Sequence, residues 1–194
     1  MFFLLPVVTG CNWSKSTVQG DYSLVEEKIE ISDYSEIVLN LPAEVVYQHY
    51  SDSLPYLQIN TDQNILSHLN IRVEDHRLIV EAKRDTIIKP TKLVIYTTST
   101  ALRRVDMNGS GNLRLAGEVN ARDLSLYLNG SGEITTDSLL CNNLLVGLNG
   151  SGKVTLTGAA GESTLTVNGS GKIDASNYFS EKIDKQVNGS GKIL

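Results

Sequence analysis

Hydrophobic and polar residues alternate along the chain from about residue 30 to residue 98, as in half-buried β-strands. In EIVLNL the alternation places Ile37, Leu39 and Leu41 on one face. VVYQHY is predicted to run back after a turn at PAE, and LNIRVEDHRLIVEAK to turn at Asp75–His76. DQNILSHL is the one candidate for a helical turn. This half is predicted to be a β-rich region, with its strand pairing left open.

From residue 101 onward the alternation becomes part of a repeat. The tetrapeptide Asn-Gly-Ser-Gly occurs five times, at intervals of 21, 20, 19 and 20 residues, with copies beginning at Asn108, Asn129, Asn149, Asn168 and Asn188. Apolar residues lie two and four positions before the first glycine and after the second glycine in most copies. A fixed period near 20 residues, with flanks that alternate at period two, indicates a repeat built from strands.

The predicted fold class is therefore all-β, a parallel β-helix (solenoid) with coils of about 20 residues and about 4.8 Å between successive coils. The two glycines of each copy share the inward parity of the apolar residues, at a corner with no room for a Cβ atom. Asn tolerates the left-handed conformation that such a turn requires. An array of independent hairpins is the alternative, although it would leave the apolar faces unburied. A helical solenoid is excluded because the tetrapeptide would break each helix.

The N-terminus, MFFLLPVVTGC, is apolar up to Cys11, and its last four residues resemble a bacterial lipobox. A run of about ten apolar residues is too short to span a bilayer and suits a signal segment. The run lacks the Lys or Arg that normally precedes it, and a buried strand with an ordinary cysteine is the alternative. The predicted organisation is a lipoprotein signal segment (1–11) with Cys11 lipidated, a polar tether (12–30), the β-rich region (31–100) and the solenoid (101–194).

The charge, the cysteines and the histidines of the chain argue against several classes of function. The net charge of −5 and the lack of a Lys/Arg cluster argue against nucleic acid as a partner. If Cys11 is lipidated, Cys141 is the remaining cysteine, so no disulfide is predicted. The histidines, His49, His68 and His76, have no neighbours at metal-ligand spacing. Neither a metal site nor a cofactor is predicted.

Three motifs in the repeat carry possible chemistry. The run from Gly147 to Lys153 matches the opening of a phosphate-binding P-loop, but Val154 replaces the Ser or Thr that binds magnesium, and strand-like sequence follows. Each copy contains an Asn-Gly-Ser glycosylation acceptor, a signal not normally used in a bacterial lipoprotein. The acidic residues occupy different phases of the repeat, and no Gly-x-Ser-x-Gly elbow occurs. No catalytic residue is therefore predicted, and the chain is predicted not to be an enzyme.

The outward positions of the corner predict a polar strip. Stacked coils would align the Asn and Ser side chains in two columns, which either bond to each other or contact a ligand such as a glycan. A lysine follows the last three corners, and this column is either a solvated face or a site for an anionic polymer. The possible binding strip comprises Asn108, Ser110, Asn129, Ser131, Asn149, Ser151, Asn168, Ser170, Asn188, Ser190, Lys153, Lys172 and Lys192.

The lipobox, the segments EIVLNLPAEVVYQ and DHRLIVEAK, and the NGSG corners together resemble the head GIN domain family of putative auto-transporter adhesins, over residues 34–194. These are secreted or lipid-anchored proteins common in Bacteroidetes. The resemblance implies a right-handed β-helix-like fold and a location in the cell envelope.

The resulting hypothesis is a non-catalytic cell-envelope lipoprotein that is held at the membrane by a lipid anchor and presents a surface to a glycan or protein. A carbohydrate-active enzyme and a purely structural envelope protein are the alternatives. The sequence ends three residues after the fifth corner, so either the C-terminus is truncated or the last coil is expected to be covered by a partner or by a second copy in a homo-oligomer.

Overall fold

A computed structural model describes residues 15–50 and 54–194, and Cys11 with the predicted signal segment lies outside the described residues. The all-β class is confirmed. Within the described ranges the regular structure is fifteen strands and one helix, α1 (Gln63–Leu66), which falls inside DQNILSHL as predicted. The strands are β1 (Ser16–Gln19), β2 (Leu24–Glu30), β3 (Glu36–Asn40), β4 (Glu44–His49), β5 (Tyr56–Asp62), β6 (Leu69–Glu74), β7 (Arg77–Ala82), β8 (Thr86–Lys89), β9 (Leu93–Ser99), β10 (Arg104–Gly109), β11 (Asn112–Gly130), β12 (Glu133–Gly150), β13 (Lys153–Gly169), β14 (Lys172–Asn188) and β15 (Lys192–Ile193).

Thirteen of these strands form one curled sheet that mixes parallel and antiparallel pairs. Its antiparallel part is N-terminal: β6 pairs with β7, and β5 pairs with both β2 and β9. Beyond β7 and β9 the neighbours are parallel, in the order β7, β3, β10, β11, β12, β13, β14, β15, with β4 between β9 and β11. Strands β1 and β8 form a separate parallel pair.

The prediction that VVYQHY runs back along EIVLNL is wrong. Strand β3 pairs in parallel with β7 and β10, whereas β4 pairs in parallel with β9 and β11. The two strands follow one another around a corner, and both bury alternate side chains in the same core. Because they do not pair with each other, the edges of each strand pair with strands that are distant in sequence. The predicted turn at Asp75–His76 is confirmed, because both residues have positive φ angles between the antiparallel strands β6 and β7.

The structure differs from the predicted polar tether over part of residues 12–30. Strand β2 pairs antiparallel with β5 over seven residue pairs, and its Ile29 packs against the core opposite Leu57. The sequence did not predict this strand because most residues of β2 are polar and exposed. The strand is held to the sheet mainly by the pairing of one edge and by the packing of Ile29.

The inward residues of the repeats stack in columns. In the register of β11, β12 and β13, Leu128 lies beside Leu148, which lies beside Val167, and all three side chains are fully buried. Because the register offset equals the repeat length, each position packs on its own equivalent. The predicted apolar parity is therefore confirmed in the first four copies, whereas Val187 before the fifth corner is 43% exposed.

A buried carboxylate fastens the N-terminal strands to the sheet. Asp62 is fully buried and accepts hydrogen bonds from the backbone N–H of Tyr22 (2.9 Å), the backbone N–H of Thr91 (2.8 Å) and the Thr91 hydroxyl (2.6 Å). Burial by itself would raise the pKa of Asp62, but the donors from Thr91 and Tyr22 outweigh it and hold the pKa below its usual value. The ionised carboxylate thus links the β1–β2 connection to the loop before β9.

This linkage is expected to make stability depend on pH. Because the pKa of Asp62 is lower in the folded state, its contribution is complete above the unfolded pKa of about 3.9 and is lost as pH falls through the folded pKa. Urea unfolding at pH 7, 5, 4 and 3 should show the wild-type free energy of unfolding falling more steeply at low pH than that of Asp62→Asn. The control Asp75→Asn changes an exposed side chain and should keep the wild-type slope. Equal slopes for wild type and Asp62→Asn would contradict this role.

Candidate binding surface

The NGSG corners are fixed by backbone contacts between successive repeats. Gly150 has φ +127°, and a Cβ atom built on it would lie 2.5 Å from the carbonyl oxygen of Gly130 in the preceding repeat. That same carbonyl accepts hydrogen bonds from the N–H groups of Ser151 (3.1 Å) and Gly152 (3.0 Å). The first glycine of the tetrapeptide is thus required by its backbone conformation and by the close approach of the preceding repeat.

The second glycine faces the core as predicted. Gly152 is buried, and a Cβ atom there would lie 2.8 Å from Cδ2 of Leu128 and 2.7 Å from the carbonyl oxygen of Gly132. Gly150, in contrast, is exposed at the surface. The two glycines therefore do not share one environment: one leaves room for the core, and the other allows the turn.

The asparagines of the corners form a continuous ladder of side-chain hydrogen bonds. Each Nδ2 group donates to the Oδ1 atom of the asparagine in the preceding copy. The distances are 2.9 Å from Asn129 to Asn108, 2.7 Å from Asn149 to Asn129, 2.8 Å from Asn168 to Asn149 and 2.9 Å from Asn188 to Asn168. Each interior asparagine uses one amide hydrogen and accepts one bond, so a second amide hydrogen and a lone pair face outward.

The ladder has a sixth member that the sequence analysis missed. Nδ2 of Asn108 donates to Oδ1 of Asn40 (2.7 Å), and Nδ2 of Asn40 donates to Glu81 (3.4 Å). Arg72 pairs with Glu81 at 2.6 Å and lowers the pKa of that carboxyl group. All six amides thus donate in one direction, toward a carboxylate. The available signal was the Asn that ends EIVLN, but Asn40 stands in NLPA without glycine and lies far from the repeat in sequence.

The serine and lysine columns have different partners. The side chains of Ser110, Ser131, Ser151, Ser170 and Ser190 are exposed, and none of their hydroxyls bonds to another group of the described chain. Lys153 pairs with Glu133 (2.8 Å), which raises the pKa of the lysine, and Lys172 pairs with Asp174 (2.6 Å). Register places Lys192 beside Lys172. The strip is therefore a row of amides and hydroxyls beside a lysine column that is partly neutralised.

Removal of an interior ladder residue is expected to cost more than removal of the last one. Asn129→Ala deletes two ladder bonds on an exposed edge, where water replaces the lost partners, and should destabilise by about 0.5–1.5 kcal/mol. Asn188→Ala deletes one ladder bond and should cost less. Urea unfolding measures both, with Ser131→Ala as the control. An equal loss for Asn129→Ala and Asn188→Ala would contradict a stabilising contribution from each ladder bond.

Other site chemistry is limited in the described part of the chain. Among residues 15–50 and 54–194, no three His, Cys, Asp or Glu side chains come together in a way that could hold a metal ion. No helix in these ranges is both long enough and apolar enough to cross a membrane. Burial raises the pKa of the Cys141 thiol to about 11.

Several solved structures share this fold. A putative adhesin from Bacteroides fragilis NCTC 9343 is 24% identical with a TM-score of 0.86, over 91% of this chain and 81% of that chain. A putative adhesin from Parabacteroides distasonis ATCC 8503 is 24% identical with a TM-score of 0.70, over 92% and 84%. A putative lipid binding protein from the same strain is 22% identical with a TM-score of 0.65, over 92% and 98%. At these identities the similarity concerns the fold.

Family membership comes from the sequence match. The family model described as "Putative auto-transporter adhesin, head GIN domain" matches residues 33–194, which include every corner of the ladder. None of the curated proteins compared with the chain matches it. The resemblance carried by the NGSG corners is thereby confirmed, and the chain belongs to the head GIN domain family of putative auto-transporter adhesins.

Proposed function

We propose that the chain is a non-catalytic envelope lipoprotein that binds a glycan or a protein through the outer surface of its repeats. The observation that carries this proposal is membership, over residues 33–194, in a family described as "Putative auto-transporter adhesin, head GIN domain". The structural neighbours reported above are named as putative adhesins or as a putative lipid binding protein. A binding role agrees with a rigid sheet whose outer face offers unpaired amide and hydroxyl groups.

The NGSG strip is one surface suited to this role. Its asparagines are held in place by the ladder, so a ligand would meet amide groups that lose little conformational entropy on binding. The serine hydroxyls beside them are free to donate and accept. The paired lysines contribute less positive charge to a ligand than a bare lysine column would.

The coil geometry is part of the same proposal. We infer that residues 101–194 wind as a right-handed parallel solenoid with coils of about 20 residues. The parallel register supports it, since Asn108 pairs with Asn129, Asn129 with Asn149 and Asn149 with Asn168. Backbone nuclear Overhauser effects between Leu128 and Leu148 and between Leu148 and Val167 are expected. Contacts that instead join neighbouring strands antiparallel, as in separate hairpins, would overturn it.

Lipid anchoring through Cys11 is proposed from the lipobox. Metabolic labelling with a fatty acid is expected to mark the wild-type chain and not Cys11→Ser, and Cys11→Ser should leave the membrane fraction. Equal labelling and equal membrane association of both chains would contradict the anchor. Accessibility of the wild-type chain to protease on intact cells then separates surface display from a periplasmic location.

The binding role is tested by deletion. Cells without the protein are expected to lose adhesion to a glycan or protein surface, and the wild-type chain should restore it. Unchanged adhesion, together with a weakened envelope, would favour the structural alternative. Depolymerisation of an envelope or host polysaccharide that disappears with one Asp or Glu substitution would favour the enzyme alternative.

A further inference from the structure

A second surface lies about halfway along each repeat, away from the NGSG corners. Two adjoining depressions share Asn120, Ala121 and Arg122 as lining residues and together form one groove. The groove crosses five successive levels of the stack, from Ala101 to the last level at Phe179–Glu181. At about 4.8 Å per level it is about 19 Å long. It runs along the stack and crosses the strands.

One wall of the groove is apolar and exposed. The register of the strands aligns Asn120, Leu140, Ala159 and Phe179 in one column. Leu140 is 44% exposed and Phe179 is 66% exposed, whereas the inward apolar residues of β12 and β13 are buried. Ala159 lies between Leu140 and Phe179, so the two exposed side chains are two levels apart, and together they form an apolar contact surface that water solvates poorly.

The opposite side of the groove supplies polar groups. The side chain of Arg122 is 86% exposed and lies 3.8 Å from Asp123, which leaves most of its donors free. The side chains of Asn142 and Glu181 are exposed and bond to no other described residue. The charged residues that line the groove are Arg103, Arg122, Asp123 and Glu181, so its charges balance.

We propose that this groove binds an uncharged oligosaccharide that lies along the stack axis, an inference that rests on the proposed binding function and names its site and ligand class. A pyranose ring has C–H groups on its faces and hydroxyls around its rim. It therefore matches a wall with Phe179 and Leu140 that faces Arg122, Asn142 and Glu181. The balanced charge disfavours an anionic polymer.

A peptide strand fits the groove less well. An extended peptide usually binds by adding to a free sheet edge, where backbone groups are unpaired. Within the groove the backbone is paired in register from Ala121 through Cys141 and Ala160 to Ser180, whereas the outer edge of β14 is paired in the described residues only at Lys172 and Ile173. A peptide that added to that edge would run along the strands and not along the groove, which crosses them. A ligand that follows the groove is therefore recognised through side chains, which suits a carbohydrate.

The test uses the full chain on an array of neutral and anionic glycans, followed by calorimetry with the neutral oligosaccharide that binds best. Binding is expected to change little between 50 and 500 mM NaCl, because the groove carries no net charge. Phe179→Ala should weaken binding about tenfold. Tyr96→Ala removes an aromatic residue of β9 that is 41% exposed and lies outside the groove, and it should leave binding unchanged.

Occupancy of the groove has a separate measurement. Cys141 lines the groove and is partly buried. The bound oligosaccharide is expected to slow iodoacetamide labelling of Cys141 at pH 9, measured by peptide mass spectrometry. An oligosaccharide that does not bind the chain should leave the labelling rate unchanged. This readout does not depend on whether Phe179→Ala folds normally.

The outcomes separate this inference from the proposed function. If a neutral glycan binds, but Phe179→Ala does not weaken the binding and the glycan does not slow labelling of Cys141, the groove is not the binding site. The proposed binding function would then still stand. Binding restricted to anionic glycans, or to a protein, would likewise overturn the groove alone. Absence of any glycan or protein ligand would overturn both.

Discussion

Replacing Leu148 by Ala is expected to lower the free energy of unfolding by about 2–5 kcal/mol. Leu148 is fully buried between Leu128 and Val167 of the neighbouring strands. Backbone pairing on both sides keeps these strands at a fixed spacing, so the cavity cannot close by collapse. Urea unfolding with a two-state fit measures the loss.

The matched control lies on the same strand. Leu140→Ala removes the same atoms from a side chain that is 44% exposed, and it should cost about 0.5 kcal/mol or less. Equal losses for Leu140→Ala and Leu148→Ala would mean that the stack does not bury its inward columns.

Replacing Gly150 by Val is expected to destabilise by roughly 1–3 kcal/mol. A β-branched residue is strained at φ +127°, and its Cβ would lie 2.5 Å from the carbonyl oxygen of Gly130. That carbonyl also bonds to Ser151 and Gly152, so a shift that relieves the clash would disturb the corner. Thermal unfolding followed by circular dichroism measures the effect.

Ser151→Ala is the control at the same corner. Its hydroxyl is exposed and bonds to no described group, so its melting temperature should match that of the wild type. An unchanged melting temperature for Gly150→Val would contradict the close approach of Gly150 to the backbone of Gly130.

The repeat was the part of the fold most open to prediction. Its alternation fixes which side chains of each strand face inward, and Leu128, Leu148 and Val167 are buried accordingly. The parity argument also places Gly152 at the core. It could not predict that Gly150 is exposed while Gly152 is buried. Strand parity assumes an extended backbone, and the positive φ angle of Gly150 breaks that alternation.

The N-terminal half shows what alternation cannot supply. The pattern predicted strands at β3 and β4, but the choice of partners depends on contacts with β7, β9, β10 and β11, which are distant in sequence. Asn40 was missed for the same reason. It joins the ladder because β3 pairs with β10, although 68 residues separate Asn40 from Asn108 in the sequence.

The groove was also missed in the sequence. Asn120, Leu140, Ala159 and Phe179 each lie nine residues before the Asn of the following NGSG corner, so copies aligned on that corner place them in one column. Counted from the preceding corner the distances are 12, 11, 10 and 11 residues, because the register of the strands shifts within each repeat. The alternation did not show that Leu140 and Phe179 are exposed in this column.

The most direct test of the binding function measures binding and turnover together. The purified chain is titrated with the ligand recovered from glycan and envelope-protein screens, and the ligand is weighed by mass spectrometry before and after incubation. Saturable binding with an unchanged ligand mass is the expected result. Failure of every screened ligand to saturate the chain, or recovery of a shortened ligand, would contradict a non-catalytic binding protein.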